Sequence, residues 1–203
     1  MIHIETINLY DLYPEAPRFD GGQLTIYALE PIPKVDPDRR FPAILILPGG
    51  AYRWVSPREA EPVAMRFLSR GFSCFILDYS CAPAPFPVAL REAAMAMAYI
   101  RQNADRYHLD ANRVAALGFS AGGHLCGTLG TLYDGEEVSD IAPAEQIRPD
   151  ALVLCYPVSA SYGRTHDESF DNLCGEDQTL KDRLSLDKLV RRDMMPEIGR
   201  AHV

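Results

Sequence analysis

Short apolar runs of strand length alternate along the chain with segments that have helical periodicity. The apolar runs lie at residues 43–47, 72–79, 113–117 and 151–156. Runs that lack a polar face are typical of strands covered on both sides. Because a strand–helix–strand order favours parallel pairing through right-handed crossovers, helices are expected on both faces of the sheet. The pattern predicts an α/β fold with a mostly parallel central sheet.

Turn and capping residues predict where several elements begin and end. Gln23–Leu29 alternates apolar and polar residues, which predicts an antiparallel strand. Ser56 and Glu59 have the spacing of a capping box, with Gly71 placed to end the helix that follows at about residue 70. A longer helix is predicted by the apolar stripe Leu90, Ala93, Met97, Ile100, Ala104 and Tyr107. Met97 is therefore expected to pack in the core and not to bind a metal.

The composition excludes several classes of protein. A chain of 203 residues with 47% hydrophobic residues is expected to form one domain with its own core. Its formal net charge of −8, without a basic stripe, argues against nucleic-acid and anionic-membrane partners. Since there is no export signal and no apolar stretch of about 18 residues, a cytoplasmic protein is expected. The five cysteines form no C-x-x-C pair, and neither a metal nor a cofactor is expected.

The sequence Gly118-Phe119-Ser120-Ala121-Gly122 matches the pattern G-x-S-x-G. It lies where an apolar run ends and a helical segment, residues 121–133, begins, which is the setting of a nucleophile elbow. Such a turn lifts the serine hydroxyl clear of the sheet, and glycines on either side let strand and helix approach closely. The alternative is an ordinary helix N-cap serine. The context favours Ser120 as a catalytic nucleophile.

A glycine-containing loop, Leu47-Pro48-Gly49-Gly50-Ala51-Tyr52, directly follows the run at residues 43–47. In an acyl-transfer enzyme such a loop supplies backbone N–H groups that stabilise an oxyanion. The expected donors are Gly50, Ala51 and Ala121, whereas the alternative for the loop is a plain turn. Tyr52 and Trp54 either line an acyl pocket or pack against it.

These segments resemble the α/β-hydrolases of the esterase and lipase group related to hormone-sensitive lipase. Within that group they are similar to bacterial acetylesterases and acetylxylan-esterase-like enzymes. The matching segments are LPGGAY at residues 47–52, DYSCAPAPFP at residues 78–87 and GFSAGGH at residues 118–124. The resemblance implies a serine carboxylic-ester hydrolase for short acyl groups, such as acetyl on a sugar, that acts through an acyl-enzyme at Ser120. Pro48 and Ala51 depart from the H-G-G-G pattern, but Ala51 keeps its N–H.

The acid and base of this fold follow the serine in the chain, in that order. His124 lies four residues after Ser120 and is expected to pack within its helix. His166 lies in a polar loop, and His202 is the penultimate residue. The expected acid and base are therefore missing. Residues 1–196 are expected to form an incomplete single hydrolase domain, and residues 197–203 a non-native tail.

Two consequences are expected from these missing groups. Without a base the serine is a weak nucleophile, so the chain as written is predicted to be nearly inactive. Missing strands would expose the edge of the strand at residues 151–156 and promote association. The oligomeric state stays open, and the expected partner is a small acyl ester. The alternatives are a serine peptidase of the prolyl-oligopeptidase type and a non-catalytic, hydrolase-like scaffold.

Overall fold

A mixed sheet forms the centre of the computed structural model, which describes residues 1–163 and 165–200, with the side chain of Arg200 excepted. Across the described residues the strand order is β1-β2-β4-β3-β5-β6-β7. The strands are β1 (Ile2–Asn8), β2 (Gln23–Leu29), β3 (Phe41–Leu47), β4 (Ser73–Asp78), β5 (Leu109–Phe119), β6 (Ala151–Cys155) and β7 (Glu197–Arg200). β2 pairs antiparallel with both β1 and β4, and the remaining pairs are parallel.

Seven α-helices lie within the described residues, and the sequence pattern predicted the three at residues 61–68, 88–102 and 121–132. The helices are α1 (Glu61–Leu68), α2 (Val88–Gln102), α3 (Ala121–Leu132), α4 (Ala144–Ile147), α5 (Asp167–Cys174), α6 (Gln178–Arg183) and α7 (Leu186–Leu189). Within the described ranges, none of these helices has the length and apolar character of a membrane span.

The two faces of the sheet support separate apolar clusters, which confirms the α/β layering. On β3, Leu45 and Leu47 pack with α2 and α3, whereas Ile44 and Ile46 pack with α1 on the opposite face. Successive strand residues point to opposite faces, so a strand covered on both sides must be apolar throughout. This double coverage explains the unbroken apolar run that ends at the Pro48 loop.

Several boundaries differ from the sequence prediction by a few residues. β3 begins at Phe41 and β5 at Leu109, both earlier than expected. α2 ends at Gln102, so Ala104 and Tyr107 lie beyond the helix, although both are still buried. β1 was not predicted. Its alternate residues are exposed, so it lacks the apolar density of the buried strands.

The capping-box prediction was wrong. Pro57–Glu59 forms a short 3₁₀ turn, α1 starts only at Glu61, and the Ser56 side chain caps neither element. The Glu59 carboxylate instead accepts hydrogen bonds from the Gly49 N–H, at 2.7 Å, and from the Tyr156 hydroxyl, at 2.6 Å. The Ser56 N–H is also engaged, because it donates to the Gly49 carbonyl at 2.8 Å.

The expected open edge at β6 was also wrong. β7 pairs with β6 in parallel, from Leu152 opposite Glu197 to Cys155 opposite Arg200. Part of the segment expected to be a tail therefore covers this edge. In the described part of the chain, the outer strand on this side is β7.

Met97 tests the packing of the helical layer. Its side chain is completely buried in the α2 cluster, whereas Met65 on α1 is 45% exposed. Met97→Ala is expected to lower the free energy of unfolding by about 2–4 kcal/mol through lost burial and a residual cavity. Met65→Ala, the matched control, is expected to change it by less than about 0.5 kcal/mol. Urea denaturation measures both values, and equal losses would contradict this description of the core.

Candidate active site

Ser120 occupies a strained turn between β5 and α3. Its backbone has φ 51° and ψ −118°, a conformation that costs a non-glycine residue about 1–3 kcal/mol. The turn is held by main-chain bonds: the Ser120 N–H donates to the Cys155 carbonyl at 3.0 Å, and the Ser120 carbonyl accepts from Val158 at 3.2 Å. The hydroxyl makes no capping bond to α3, so the geometry favours a nucleophile elbow over an N-cap serine.

The glycines on either side of Ser120 are required by backbone contacts. A Cβ at Gly118 would lie 2.1 Å from the Gly122 carbonyl oxygen. A Cβ at Gly122 would lie 2.1 Å from the Leu47 carbonyl oxygen and 2.3 Å from that of Pro48. Strand, helix and the Pro48 loop therefore meet with no room for side chains, as the G-x-S-x-G pattern predicts.

The loop after β3 presents unpaired backbone donors. Gly50, Ala51 and Tyr52 all have positive φ, at 134°, 57° and 53°. Ala51 thus adopts a left-handed conformation despite replacing a glycine of the resembling family. Within the described part of the chain, the N–H groups of Gly50, Ala51 and Ala121 donate no hydrogen bond.

Bonds from two other segments, the stretch after β4 and α5, hold this loop in place. The Tyr79 hydroxyl donates to the Pro48 carbonyl at 2.6 Å, and the Asn172 side-chain amide on α5 donates to the Ala51 carbonyl at 2.8 Å. The Tyr52 carbonyl accepts from the Ala82 N–H at 2.7 Å. The donors are therefore preorganised, which is the condition for effective oxyanion stabilisation.

Ser120 and the donor loop open onto one cleft of about 540 Å³. The residues that line it are Gly50, Ala51, Arg53, Trp54, Ser56, Arg58, Glu59, Ser120, Tyr156, His166 and Glu168. Ser120 is half-buried there, next to the first residue of α3, Ala121. Ser120, Gly50 and Ala51 are thus brought together as the sequence reasoning requires.

The cleft is polar and carries charges of both signs. Arg53 pairs with Glu168 at 3.4 Å across its rim, and both side chains are largely exposed. Arg58 and Glu59 add a further cation and carboxylate. Among the described residues no three His, Cys, Asp or Glu side chains are grouped so that they could hold a metal ion.

Tyr52 and Trp54 have different surroundings. Tyr52, proposed from sequence as a substrate contact, is only 3% exposed, and its ring packs edge-on against Tyr79 and His124. Trp54 is 50% exposed and lines the cleft. The geometry therefore supports the packing alternative for Tyr52 and the cleft alternative for Trp54. Their opposite placement follows from the left-handed turn at residues 51–52.

His124 is a buried structural residue, as expected for a histidine packed within its helix. Its Nε2–H donates to the Leu184 carbonyl at 2.8 Å, so Nδ1 is the acceptor for the Tyr52 hydroxyl at 2.8 Å. Burial lowers the pKa of His124 from 6.5 to about 4, against the smaller opposing effect of the Leu184 bond. With both nitrogens occupied, His124 is not placed to accept a proton from Ser120.

Two further histidines, His166 and His202, follow His124 in the chain. His166 lines the cleft just before α5, and its Nδ1 is hydrogen-bonded to the Ser169 hydroxyl at 3.0 Å. His202 lies outside the described residues. Across residues 1–163 and 165–200, no side chain forms a hydrogen bond with the Ser120 hydroxyl.

Two residues that shape the site were missed from sequence. Glu59 was interpreted as part of a capping box, because nothing in the local sequence indicates its long-range bonds to Gly49 and Tyr156. Asn172 had no recognisable signal, because its contact with Ala51 spans 121 positions. Such contacts depend on tertiary packing, and local spacing does not predict them.

Comparisons with known proteins find a matching family and several relatives. A family profile described as BD-FAE matches residues 31–178. The endo-1,4-beta-xylanase B of Butyrivibrio fibrisolvens is 33% identical over 78% of this chain and 26% of its own length. The acetylxylan esterase of Xylanibacter ruminicola is 28% identical over 76% of this chain and 31% of its own length. The chain thus spans about a quarter to a third of these relatives.

A solved structure is similar over nearly the whole chain. The acetyl ester-xyloside bifunctional hydrolase of Caldicellulosiruptor lactoaceticus superposes with a TM-score of 0.84 at 33% identity. The match covers 96% of this chain and 73% of that chain. The fold, including the order of strands and helices around Ser120, is therefore that of an α/β-hydrolase.

Gly122→Ala tests the close approach at the elbow. Because the added Cβ would overlap the carbonyl oxygens of Leu47 and Pro48, the free energy of unfolding is expected to fall by about 3 kcal/mol or more. Gly127→Ala is the matched control on the same helix, since its Cβ would meet only the flexible Leu186 side chain. It is expected to stay within about 1 kcal/mol of wild type in urea unfolding. Similar values for the two variants would refute the elbow geometry.

His124 makes stability depend on pH. The unfolded chain binds a proton at His124 near pH 6.5, whereas the folded chain does so only near its lowered pKa of about 4. The free energy of unfolding that neutral His124 contributes is therefore fully present above pH 6.5. It is lost as the pH falls towards 4, by about 3 kcal/mol in total. His124→Gln should lose less stability than wild type over this range in unfolding measurements at pH 7, 5.5 and 4. Parallel pH profiles would show that His124 is not held neutral.

Proposed function

Because the chain belongs to the BD-FAE family of α/β-hydrolases, we propose that it is a serine carboxylic-ester hydrolase with Ser120 as its nucleophile. One observation carries the proposal. The strained Ser120 turn lines the same open cleft as Gly50 and Ala51, whose N–H groups donate no hydrogen bond among the described residues. A nucleophile and an oxyanion site that share one cleft are the two elements that acyl transfer requires.

The proposed reaction proceeds through an acyl-enzyme. The Ser120 oxygen attacks the acyl carbonyl, and the negative charge that develops is stabilised by the N–H groups of Gly50, Ala51 and Ala121. The ester C–O bond then breaks, and the alcohol leaves with the proton that the serine gave up. Water attacks the acyl-enzyme in turn, which releases the acid and restores the serine.

A short acyl group, acetyl above all, on a small and carbohydrate-linked alcohol is the proposed substrate. The names of the acetylxylan esterase and of the acetyl ester-xyloside hydrolase support this choice. The cleft supports it too, because Trp54 offers an exposed ring beside charged hydrogen-bonding side chains. Such a surface suits a hydroxyl-rich substrate better than a long acyl chain.

Slow turnover is expected from the described residues. Ser120 has no hydrogen-bonded base among them, because both ring nitrogens of His124 are hydrogen-bonded, to the Tyr52 hydroxyl and to the Leu184 carbonyl. Serine hydrolases that lose their base keep about 10³–10⁴-fold acceleration over water, through oxyanion stabilisation and binding. We propose that the described chain acts at this residual level.

Ser120→Ala tests the proposed function. Wild type is expected to release p-nitrophenol from p-nitrophenyl acetate slowly, with acetylation of Ser120 detected by intact-protein mass, and Ser120→Ala is expected to abolish both. Ser139→Ala is the matched control, because Ser139 is exposed and, among the described residues, its hydroxyl bonds only to the Glu136 carbonyl. A prolyl p-nitroanilide should be cleaved far more slowly than the ester.

The other outcomes are equally informative. Faster cleavage of the amide would favour a peptidase. Equal rates for wild type and Ser120→Ala, with no acetylated serine, would favour a non-catalytic scaffold and overturn the proposal.

A further inference from the structure

We propose that Glu59 is a positioning residue that sets the orientation of the oxyanion donors, an inference that rests on the proposed function. Its carboxylate lines the cleft but points into the loop that carries Gly50 and Ala51. Glu59 lies ten residues after Gly49 in the chain and belongs to neither the loop nor the elbow. Glu59 thus connects two parts of the site, the donor loop and the segment that supports the Ser120 turn.

Residues 56–59 hold Gly49 on both sides. The Gly49 N–H donates to Glu59 Oε2 at 2.7 Å, and the Gly49 carbonyl accepts from the Ser56 N–H at 2.8 Å. That carbonyl belongs to the same planar peptide group as the Gly50 N–H. In a trans peptide the two point in opposite directions, so fixing the Gly49 carbonyl fixes the direction of the Gly50 N–H. We call these two bonds, from Glu59 and Ser56 to Gly49, the clamp. The clamp therefore fixes the orientation of the Gly50 N–H, the first proposed oxyanion donor.

The second carboxylate oxygen connects the clamp to the nucleophile side of the site. Glu59 Oε1 accepts from the Tyr156 hydroxyl at 2.6 Å. Tyr156 directly follows Cys155, whose carbonyl accepts the Ser120 N–H at 3.0 Å. Tyr156 itself has a positive φ of 39°. One side chain thus links the donor loop to the end of β6, which supports the Ser120 turn.

The spacing around Gly49 shows how tightly these parts meet. A Cβ added to Gly49 would lie 2.8 Å from Glu59 Oε2, 2.8 Å from the Phe119 carbonyl and 3.0 Å from Ser120 Cβ. The carboxylate and Ser120 Cβ therefore both lie close to the side of this glycine on which a side chain would project. A shift of the Glu59 side chain would move the loop relative to Ser120, and displacements of about 1 Å at such a site can cost 100-fold in rate.

A carboxylate suits this position because both donors reach it from different directions. A glutamine can reproduce much of the arrangement, since its oxygen can accept from Gly49 and its amide can donate to the Tyr156 oxygen. Alanine removes both bonds and leaves the Gly49 N–H without a partner. The pair Glu59→Gln and Glu59→Ala therefore separates the geometry of the clamp from its charge.

Two measurements test the proposal: amide exchange at Gly49 reports on the loop, and the rate of Ser120 acetylation reports on the reaction. Hydrogen exchange of the Gly49 amide, followed by NMR, should be protected in wild type and Glu59→Gln and fast in Glu59→Ala. The rate of Ser120 acetylation by p-nitrophenyl acetate should fall by about 10- to 100-fold in Glu59→Ala, with little change in KM, and recover in Glu59→Gln. Tyr156→Phe, which removes the hydroxyl bond to Glu59 Oε1, should give an intermediate rate.

Glu61→Ala is the matched control. Glu61 is exposed, lies two residues further along the same segment and accepts a bond from the Tyr27 hydroxyl instead of from the loop. It should leave the Gly49 amide and the acetylation rate at wild-type values. Thermal unfolding of every variant shows which ones are folded before rates are compared.

The outcomes distinguish this inference from the proposed function. If Ser120→Ala is as active as wild type, the proposed hydrolase fails, and the Gly49 amide still decides whether the clamp exists. If Ser120 is required but folded Glu59→Ala keeps its acetylation rate, the positioning inference is overturned. A loss in Glu59→Ala that appears only in KM would also overturn it, because Glu59 would then contribute to substrate binding alone.

Discussion

The contact between main-chain atoms at the elbow is the constraint on which the site depends. Gly118 and Gly122 approach the neighbouring carbonyls so closely that no side chain fits between β5, α3 and the Pro48 loop. This contact places the Ser120 turn beside the donor loop. The sheet supplies the rigid support, because β3 and β5 are adjacent and parallel and both end at the same edge. Strain at Ser120 persists because its neighbours hold it from several sides.

The features that could be predicted from sequence have local causes. Doubly covered strands must be apolar on both faces, so the residues of β3 and β4 could be recognised as apolar runs. The family resemblance was confirmed by the comparisons. The elbow was visible because a steric requirement fixes glycine at two positions around Ser120. In each case the residues that determine the local structure are neighbours in the chain, so the sequence pattern alone is enough to recognise it.

The features that could not be predicted depend on contacts between distant segments. Edge strand β1 has exposed alternate residues, and β7 is short, so neither has a strong apolar pattern. Glu59 fits a capping box by spacing, yet two stronger partners, Gly49 and Tyr156, take its carboxylate. Tyr52 and Trp54 are two residues apart in a loop that is left-handed at Ala51 and Tyr52, and local spacing does not predict that Tyr52 is buried while Trp54 lines the cleft.

The proposed serine hydrolase site has an electrostatic part and a proton-transfer part, and the described residues supply the first. Backbone donors, the elbow and the Glu59 clamp come from segments between Leu47 and Tyr156. Main-chain bonds and side-chain bonds from Glu59, Tyr79 and Asn172 hold them without any contribution from a base. Electrostatic preorganisation needs fixed dipoles and no charge transfer, so this half of the site can form when no histidine is bonded to Ser120. Under the proposed function the two halves are structurally separable: packing around glycines orients the proposed oxyanion donors, and activation of the hydroxyl is an independent requirement.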